Sequence, residues 1–454
     1  MTRKICSKEL KLSGGRLSID GEYEFLKIGK PQLDFSNAAD IHAFIAQLPV
    51  VRSKNFRCLE LNCYWHHLDR DGDGKIDVSM EPLRELVAAI VKNGMFPCLS
   101  VETYGVGGGQ IPAGFWKQYP DSIAIDSKGT PVRDDEYGYA SAVPSLFDPD
   151  YLRLSRSFIR DLVGSQDHSS FLWFETTVEP QYMGSRWLDY SSHAKTAYES
   201  WLDREEVSGP DFPVKFPVAE SFLTDPTWNR FRAEWLADWV NGDAQAFRDI
   251  AGENAWVAVD YLDAEEHTMI RRLGDPLTFL RQLSGANIVQ INWSWHNVDR
   301  CPNLKAYRRV RQVMAETKRD WAVTEHMTIN GTDYHASEME PLLENTIANS
   351  THFGWEFVDI LPDLDDPAVT PGIVVPGAFR PAHFSVYGPD WKPKGAMAVV
   401  DDRWEHWMKK VRQRAEHSAQ TQERAANPRP QKVSVAEQVI PLSLSDADGM
   451  LASS

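Results

Sequence analysis

Eight short runs of strand-forming residues alternate with helical patterns along most of this chain, and no other feature of the sequence constrains the fold as strongly. Most of the runs are apolar at successive positions, which is typical of strands covered on both faces. Because strand–helix–strand connections are right-handed, eight such units predict an α/β fold, a parallel (β/α)8 or TIM barrel. The predicted strands are residues 23–29, 57–65, 96–104, 170–176, 255–262, 287–296, 321–327 and 352–358.

Helices are predicted between the strands from helical spacing of apolar residues, from Asp-Pro pairs that begin a helix, and from Gly or Pro at its end. The first is expected to end at Pro49, because proline lacks the backbone donor that a helix interior needs. Residues 181–254, between the fourth and fifth strands, are predicted as a long insertion. The predicted helices are residues 36–48, 81–94, 148–163, 191–202, 225–240, one beginning at 275, 302–318, 337–348 and a closing helix at 401–416.

Three regions follow from these patterns. Residues 1–22 are predicted as an N-terminal segment with a hairpin that turns at Asp20-Gly21 and leads into the first strand. Residues 23–417 are predicted as the barrel. Residues 418–454 are polar, and we expect a C-terminal tail that is disordered or lies as an arm on a neighbouring subunit of a homo-oligomer.

Charge and cysteine content narrow the classes of partner. A net charge of −17 weighs against binding to nucleic acid or to an anionic membrane, since both need a basic surface. The five cysteines are scattered without C-x-x-C spacing, so neither a zinc site nor a disulfide framework is indicated. The N terminus lacks an apolar signal sequence and no window resembles a spanning helix. We therefore expect a cytoplasmic protein that binds a small neutral molecule.

Two strand ends carry a glutamate where barrel enzymes place their active sites. Residues 173–184 (WFETTVEPQYMG) run from an apolar strand into Glu179, which precedes Pro180. Proline cannot donate to a ladder and favours extended geometry at the residue before it, so Glu179 is expected to be the last residue held at the strand end. Residues 321–327 (WAVTEHM) repeat this pattern with Glu325. In one parallel barrel both carboxylates lie at the carboxyl-terminal rim.

These motifs resemble those of the large retaining clan of glycoside hydrolases built on (β/α)8 barrels, clan A. Val178-Glu179-Pro180 is similar to the Asn-Glu-Pro that ends strand four in that clan, and Thr324-Glu325-His326 is similar to its strand-seven motif. The resemblance implies that Glu179 is the acid/base and that Glu325 is the nucleophile.

The resemblance extends to other parts of the chain. Residues 189–202 and 228–232 are similar to the insertion after strand four in the family 42 β-galactosidases, and Trp355 corresponds to a tryptophan that lies beneath the sugar in the clan. One position departs from the pattern, because the clan's Asn, which usually holds the 2-hydroxyl of the substrate, is Val178 here. Either another residue holds that hydroxyl, or the substrate differs at C2, or Glu175 is the acid/base.

The predicted reaction is retaining hydrolysis, which requires two carboxyl groups about 5 Å apart across the scissile bond. We expect a β-glycosidase, similar to β-galactosidases or β-glucosidases, that acts from the end of a small oligosaccharide or glycoside and requires no cofactor. The alternatives are an endo-glycanase of the same clan, a catalytically silent sugar-binding barrel, and a barrel lyase or isomerase that uses a divalent metal.

Aromatic side chains are the expected sugar contacts. The chain has 16 tryptophans, a residue that stacks well on sugar rings but is more often part of a core. Alternation along a strand directs some side chains into the barrel mouth and others beneath the helices. The residues predicted to bind substrate are Trp355, Trp293, Trp295, Asn292, His296, Tyr261 and Tyr104, together with Glu102.

One loop resembles a calcium-binding sequence. Residues 69–77 (DRDGDGKID) nearly fit D-x-D-x-D-G, in which staggered oxygens surround the ion and glycine permits the turn. The pattern fails at its twelfth position, which is Met80 where a bidentate Glu is needed. A structural calcium site and a metal-free Asp/Gly turn both remain open, and the candidate ligands are Asp69, Asp71, Asp73, Lys75 and Asp77.

Overall fold

The computed structural model describes residues 2–5, 7–13, 16–104, 111–133, 142–182, 186–262, 266–293, 304–327, 352–362 and 385–426. The chain divides into two compact units, residues 1–411 and 412–454. In the second unit, residues 412–426 are helical. No helix in the described ranges is long and apolar enough to cross a lipid bilayer.

The chain begins with a four-stranded antiparallel sheet. Its last two strands form the predicted hairpin, and at the turn between them Asp20 and Gly21 both have positive φ, 53° and 87°. Its first two strands pair in a second hairpin that the sequence did not predict. The strands are β1 (Thr2–Ile5), β2 (Lys8–Ser13), β3 (Arg16–Ile19) and β4 (Glu22–Glu24).

Eight parallel strands then close into a barrel in chain order, which confirms the predicted fold class. Each predicted strand is present, the last at its predicted bounds and the others with bounds that differ by a few residues. The predicted first strand is divided, because its initial residues belong to β4 and the rest to the barrel. The barrel strands are β5 (Leu26–Lys30), β6 (Cys58–Tyr64), β7 (Phe96–Glu102), β8 (Phe174–Glu175), β9 (Val257–Leu262), β10 (Ile288–Trp293), β11 (Ala322–Met327) and β12 (His352–Val358).

One face of the N-terminal sheet covers the amino-terminal end of the barrel. The buried side chains of Leu10, Leu17 and Ile19 share a hydrophobic cluster with Leu26 and Cys58, which lie at the start of barrel strands. Alternation in β2 and β3 puts these apolar residues on one face of the sheet. Since apolar packing closes that end, the site for a polar ligand is expected at the carboxyl-terminal end of the strands.

Helices follow most of the barrel strands and cover the outside of the barrel. Asp148, Asp225 and Asp275 each cap a helix that begins with proline, and each carboxylate accepts a backbone N–H of the first turn. The helices are α1 (Ala38–Ser53), α2 (Trp65–Leu68), α3 (Glu81–Lys92), α4 (Ala113–Gln118), α5 (Pro149–Gly164), α6 (Ser192–Glu205), α7 (Glu220–Leu223), α8 (Pro226–Ala251), α9 (Glu266–Leu273), α10 (Pro276–Gln282), α11 (Leu304–Thr317) and α12 (Gly395–Ala426).

The prediction that the first helix ends at Pro49 was wrong. Helix α1 continues to Ser53 with Pro49 inside it. Proline removes one backbone hydrogen bond there, but Leu48 and Val51 on either side of it are fully buried. Burial of these two side chains stabilises the last turn by more than the lost bond costs.

The C-terminal helix is longer than predicted. Helix α12 ends at Ala426, beyond the start of the predicted tail at residue 418. Residues 427–454 and the predicted helix at residues 337–348 lie outside the described part of the chain.

Three helices, α6, α7 and α8, lie between the fourth and fifth barrel strands, in the region predicted as an insertion. Arg232, on α8, is fully buried. Its guanidinium lies 4.4 Å over the ring of Tyr182 and donates to the backbone carbonyls of Ile270 and Arg271. The hydroxyl of Tyr182 donates in return to the backbone carbonyl of Arg232 at 2.9 Å. Helix α8 therefore anchors the segment that follows Glu179.

Candidate active site

The segment after the fourth barrel strand carries Glu179, the predicted acid. Strand β8 has only two residues, after which the chain leaves the ladder. Glu179 has a φ of 49°, so the extended geometry predicted from Pro180 is not found. Left-handed geometry costs a residue with a Cβ about 1–2 kcal/mol, and such strain occurs preferentially at functional sites. The side chain is half-buried, and Gln181 Nε2 donates to its Oε2 at 3.1 Å.

Hydrogen bonds join this segment to the end of the third barrel strand. Glu102 is the last residue of β7, and its Oε1 accepts the backbone N–H of Val178 at 2.5 Å. The backbone N–H of Thr103, which follows Glu102, donates to Oγ1 of Thr177, which precedes Val178, at 3.1 Å. Val178 directly precedes Glu179, so the carboxyl group of Glu102 helps to fix the position of the predicted acid.

The surroundings of Glu102 favour the neutral form of its carboxyl group. Complete burial is the main cause that raises the pKa of Glu102 well above its usual range, and the charges of Glu179 and Asp260 raise it further. The N–H of Val178 and the ammonium of Lys30 oppose the shift without cancelling it. A carboxyl group that stays protonated offers one acceptor oxygen and one O–H donor.

Below the rim, the barrel interior contains a buried group of charged side chains from several strands. Lys30 Nζ lies 2.7 Å from Glu60 Oε1 and 3.8 Å from Glu356 Oε1. Gln290 Nε2 donates to Glu356 Oε2 at 2.9 Å. Glu175 lies beside Glu60, and all five side chains are buried. We call these five residues the interior charge cluster.

The protonation states in the interior charge cluster follow from burial and proximity. Burial, followed by the neighbouring charge of Glu60, raises the pKa of Glu175 well above its usual range, which favours the protonated form of Glu175. Burial alone would lower the pKa of Lys30, but Glu356 and Glu60 raise it well above its ordinary value, so Lys30 stays charged. Glu175 is fully buried beneath the mouth, whereas Glu179 is only half-buried and therefore better exposed to a substrate.

The seventh barrel strand carries Glu325, the predicted nucleophile. In the ladder Glu325 pairs with Ile291 of β10 and with Trp355 of β12. The side chain of Glu325 lies outside the described residues, as do the side chains of Asn292 and Trp293. Trp295 and His296 are outside the described residues altogether. The roles of these five residues stay predictions.

Trp355 does not lie where the resemblance implied. Its indole is fully buried on the outer side of β12, with ring centroids 4.9 Å from Phe25, 6.0 Å from Trp404 and 5.9 Å from Trp407. Two of these neighbours belong to α12, which covers the outside of the barrel. The alternation of β12 directs Glu356 into the interior and therefore Trp355 beneath the helix.

Tyr261 and Tyr104 also pack beneath helices rather than at the mouth. The ring of Tyr261 stacks on Phe279 of α10 at 6.3 Å, while its strand neighbour Asp260 takes the interior position. The ring of Tyr104 lies 5.2 Å from Trp239 of α8, edge to face. Both predictions of sugar contact disagree with this packing. The pleat of β9 assigns Tyr261 to the helical layer, whereas Tyr104 lies two residues beyond the end of β7, where strand alternation no longer applies.

The Asp/Gly loop brings three of the predicted calcium ligands together. One oxygen from each of Asp69, Asp71 and Asp77 lies within 4.8 Å of the others. The buried carboxylate of Asp69 already accepts the backbone N–H groups of Gly72 and Gly74 and the indole N–H of Trp65. These bonds account for the turn by themselves.

Further along the calcium-like sequence, Asp73 and Lys75 are exposed. Asp73 uses its backbone N–H to donate to Asp71 Oδ1 at 3.2 Å. Neither residue adds a buried oxygen to the three carboxylates.

A second polar pair lies after the first two barrel strands. His67 Nδ1 lies 3.1 Å from Asp34 Oδ1. Burial works to raise the pKa of Asp34, but the hydrogen bonds from His67 and Ser36 outweigh it and lower that pKa well below the usual range. Burial lowers the pKa of His66 to about 3, so this ring stays neutral. Asp34 therefore favours its ionised form beside His67.

Apart from Glu175, the members of the interior charge cluster were not predicted, because the predicted site residues lie at or near strand ends. Glu60 stands between Leu59 and Leu61, and Glu356 stands between Trp355 and Phe357. A charged residue flanked by apolar residues within a doubly covered strand indicates the interior face. This signal could have been read from the sequence.

Comparison with known proteins supports the fold. No protein-family model matches the sequence, and a search of curated proteins finds no match. The catalytic domain of a β-amylase from Paenibacillus polymyxa matches with a TM-score of 0.59 at 10% identity, covering 84% of this chain and 97% of that chain. A β-galactosidase from the psychrophilic Marinomonas ef1 matches with a TM-score of 0.58 at 11% identity, covering 88% of this chain and 60% of that chain.

A third structure, a catalytic mutant of a GH42 β-galactosidase from G. stearothermophilus, matches with a TM-score of 0.58 at 12% identity, covering 85% of this chain and 57% of that chain. The chain thus spans less than two thirds of these β-galactosidases. Identities this low show a common fold, and the expected resemblance to (β/α)8 glycoside hydrolases is confirmed at that level.

Proposed function

We propose that this chain is a retaining β-glycosidase in which Glu179 is the acid/base and Glu325 is the nucleophile. The observation that carries the proposal is the setting of Glu179. Its half-buried carboxyl group lies after the fourth barrel strand, in a strained backbone conformation, and interacts with the buried acid Glu102. Barrel enzymes hold their reactive groups at this end of the strands.

In the first step, protonated Glu179 gives its proton to the glycosidic oxygen while ionised Glu325 attacks the anomeric carbon. The glycosidic C–O bond breaks, and an ester between Glu325 and the sugar forms. In the second step, Glu179, now ionised, takes a proton from water as the water oxygen attacks the same carbon. The ester bond breaks, which releases the sugar and restores both carboxyl groups.

In the proposed cycle the charge of Glu325 controls the protonation of Glu179. Ionised Glu325 would favour the protonated form of Glu179 before the first step. When the ester forms, that charge disappears, and Glu179 can then remain ionised and act as a base.

The proposed substrate is a small β-linked oligosaccharide or glycoside, cleaved from its end as by a β-galactosidase or β-glucosidase. The solved structures that share the fold carry the names β-amylase and β-galactosidase, which supports glycosidic bonds as the target. We propose that no cofactor takes part.

A panel of nitrophenyl glycosides tests the proposal, with the anomer of the first sugar product read by NMR. We expect turnover of at least one β-glycoside, retention of configuration, and no loss of activity in a chelator. Glu325→Gln should abolish turnover, whereas Glu220→Gln, at an exposed position of α7, should not change it. Full activity of Glu325→Gln would remove that residue from the role, and inhibition by a chelator would favour the metal-dependent lyase or isomerase.

A further inference from the structure

The second carboxyl oxygen of Glu102 makes no hydrogen bond within the described part of the protein. Glu102 Oε1 accepts the N–H of Val178, but Oε2 is buried and has no hydrogen-bond partner among the described residues. Buried polar atoms in folded proteins are nearly always paired with protein or water, so an orphan of this kind calls for an explanation.

The position of Glu102 directs this oxygen toward the interior of the barrel at its upper end. Glu102 occupies the same face of β7 as Phe96 and Cys98, which belong to the apolar cluster inside the barrel. It is the last residue of the strand, so it lies closest to the carboxyl-terminal mouth. Its electrostatic neighbours include Lys30, Glu179 and Asp260, which come from three other strands or strand ends.

We propose that Glu102 is a substrate-binding residue whose Oε2 takes a sugar hydroxyl beside the bond that is cleaved. This inference rests on the proposed function, because it uses Glu179 as the acid that touches the glycosidic oxygen. Val178, whose backbone N–H donates to Glu102, directly precedes Glu179 in the sequence. The charge of Glu179 also acts on the carboxyl group of Glu102, so the two groups are electrostatic neighbours. A hydroxyl bound by Glu102 would thus belong to the part of the substrate near the glycosidic oxygen, on the glycon or on the leaving group.

The chemistry of a neutral carboxyl group suits this role. Oε1 acts as the carbonyl acceptor toward Val178, so the proton resides on Oε2 and can be donated to the hydroxyl oxygen. Glutamine has the same pair of atoms, an acceptor oxygen and an N–H donor on a side chain of equal length. Methionine has similar length without either atom. The two substitutions thus separate hydrogen bonding from packing.

The test compares wild type, Glu102→Gln and Glu102→Met on a nitrophenyl β-glycoside and on its monodeoxy analogues, each lacking one hydroxyl. We expect Glu102→Met to lower kcat/KM for every substrate by a common factor, because the bond to Val178 is lost. For the parent glycoside and for all analogues but one it should fall roughly 10- to 100-fold further, as expected for loss of one hydrogen bond to a hydroxyl. Glu102→Gln should stay within a few fold of wild type. The analogue that cancels the effect identifies whether the hydroxyl belongs to the glycon or to the leaving group.

Equal losses for the parent and for every analogue would overturn the proposal, because Glu102 would then only support the strand. Thermal unfolding of each variant checks the fold, and Glu102→Ala replaces the methionine variant if that protein does not fold.

The outcome is separable from that of the proposed function. If wild type cleaves no glycoside, isothermal titration with the free sugar and its deoxy forms makes the same comparison by binding. Weaker binding of one deoxy sugar would then support the hydroxyl contact even if the protein has no glycosidase activity. Equal affinities for the sugar and for every deoxy sugar would overturn the proposed contact.

Discussion

The ammonium of Lys30 lies 2.7 Å from the carboxylate of Glu60 in the interior of the barrel, and both side chains are buried. Lys30 is also 3.8 Å from Glu356, so one cation serves two carboxylates taken from the second and eighth strands. The contact between Lys30 and Glu356 therefore joins the first and last strands of the barrel where they pair.

Removing this cation should be costly. We expect Lys30→Met to lower the free energy of unfolding by about 3–5 kcal/mol, because it leaves Glu60 and Glu356 buried without a counter-charge. Urea unfolding at pH 7 measures the change. Lys117→Met, at an exposed position of α4, serves as the control and should change stability by less than about 0.5 kcal/mol. A loss below about 1 kcal/mol for Lys30→Met would mean that the carboxylates take up protons at little cost.

Glu175 should make stability depend on pH in a particular direction. Its pKa in the folded protein is raised by burial, so its contribution to stability is complete below the unfolded pKa of about 4.3 and declines as the pH rises toward the folded value. Glu175→Gln removes this dependence. The free energy of unfolding of the Glu175→Gln variant minus that of wild type should therefore rise by up to about 1.4 kcal/mol per pH unit above pH 5. Urea unfolding at pH 5, 6 and 7 gives the slope, and a flat difference would contradict the assignment.

Activity should separate Glu179 from Glu175. We expect Glu179→Gln to lower kcat/KM by about 10²–10⁴ for an alkyl glycoside, whose leaving group needs a proton, and much less for a dinitrophenyl glycoside, whose leaving group does not. Glu175→Gln should retain activity within a few fold on both. The reverse pattern would make Glu175 the acid and would require it to be reached from the mouth.

Trp355 should behave as a core residue. Because its indole packs against Phe25, Trp404 and Trp407, Trp355→Ala should lower the free energy of unfolding by about 3–5 kcal/mol. The KM of the protein that remains folded should be unchanged within about a factor of two. A large rise in KM without loss of stability would restore the sugar contact implied by the resemblance.

The Asp/Gly loop should be stable without a metal. Asp69→Ala leaves three donors without their acceptor, so we expect a loss of about 1–3 kcal/mol that is the same with calcium and with a chelator. Asp73→Ala, at an exposed position, is the matched control and should have little effect. Calcium titration of wild type should release no heat, and a saturable heat signal would establish a structural ion instead.

Local patterns in the sequence were sufficient to predict the strands and helices of the barrel. Strand β12 was predicted at its observed bounds, and the Asp-Pro pairs at Asp148, Asp225 and Asp275 marked helix starts correctly. Caps and apolar runs depend on residues within one turn or one strand, so the sequence carries them directly. Pro49 was misread because burial of its neighbours, which is not a local property, decided the helix end.

The faces of the strands and the meeting of distant charges were decided by the tertiary structure. The sequence by itself determined eight strands in order and the glutamates that follow the fourth and lie on the seventh. It did not determine that Trp355 lies beneath a helix, or that Lys30, Glu60 and Glu175 meet inside the barrel, because register and closure join residues that no local pattern relates. Only the closed barrel brings these side chains within reach of one another and, by excluding water, shifts their protonation.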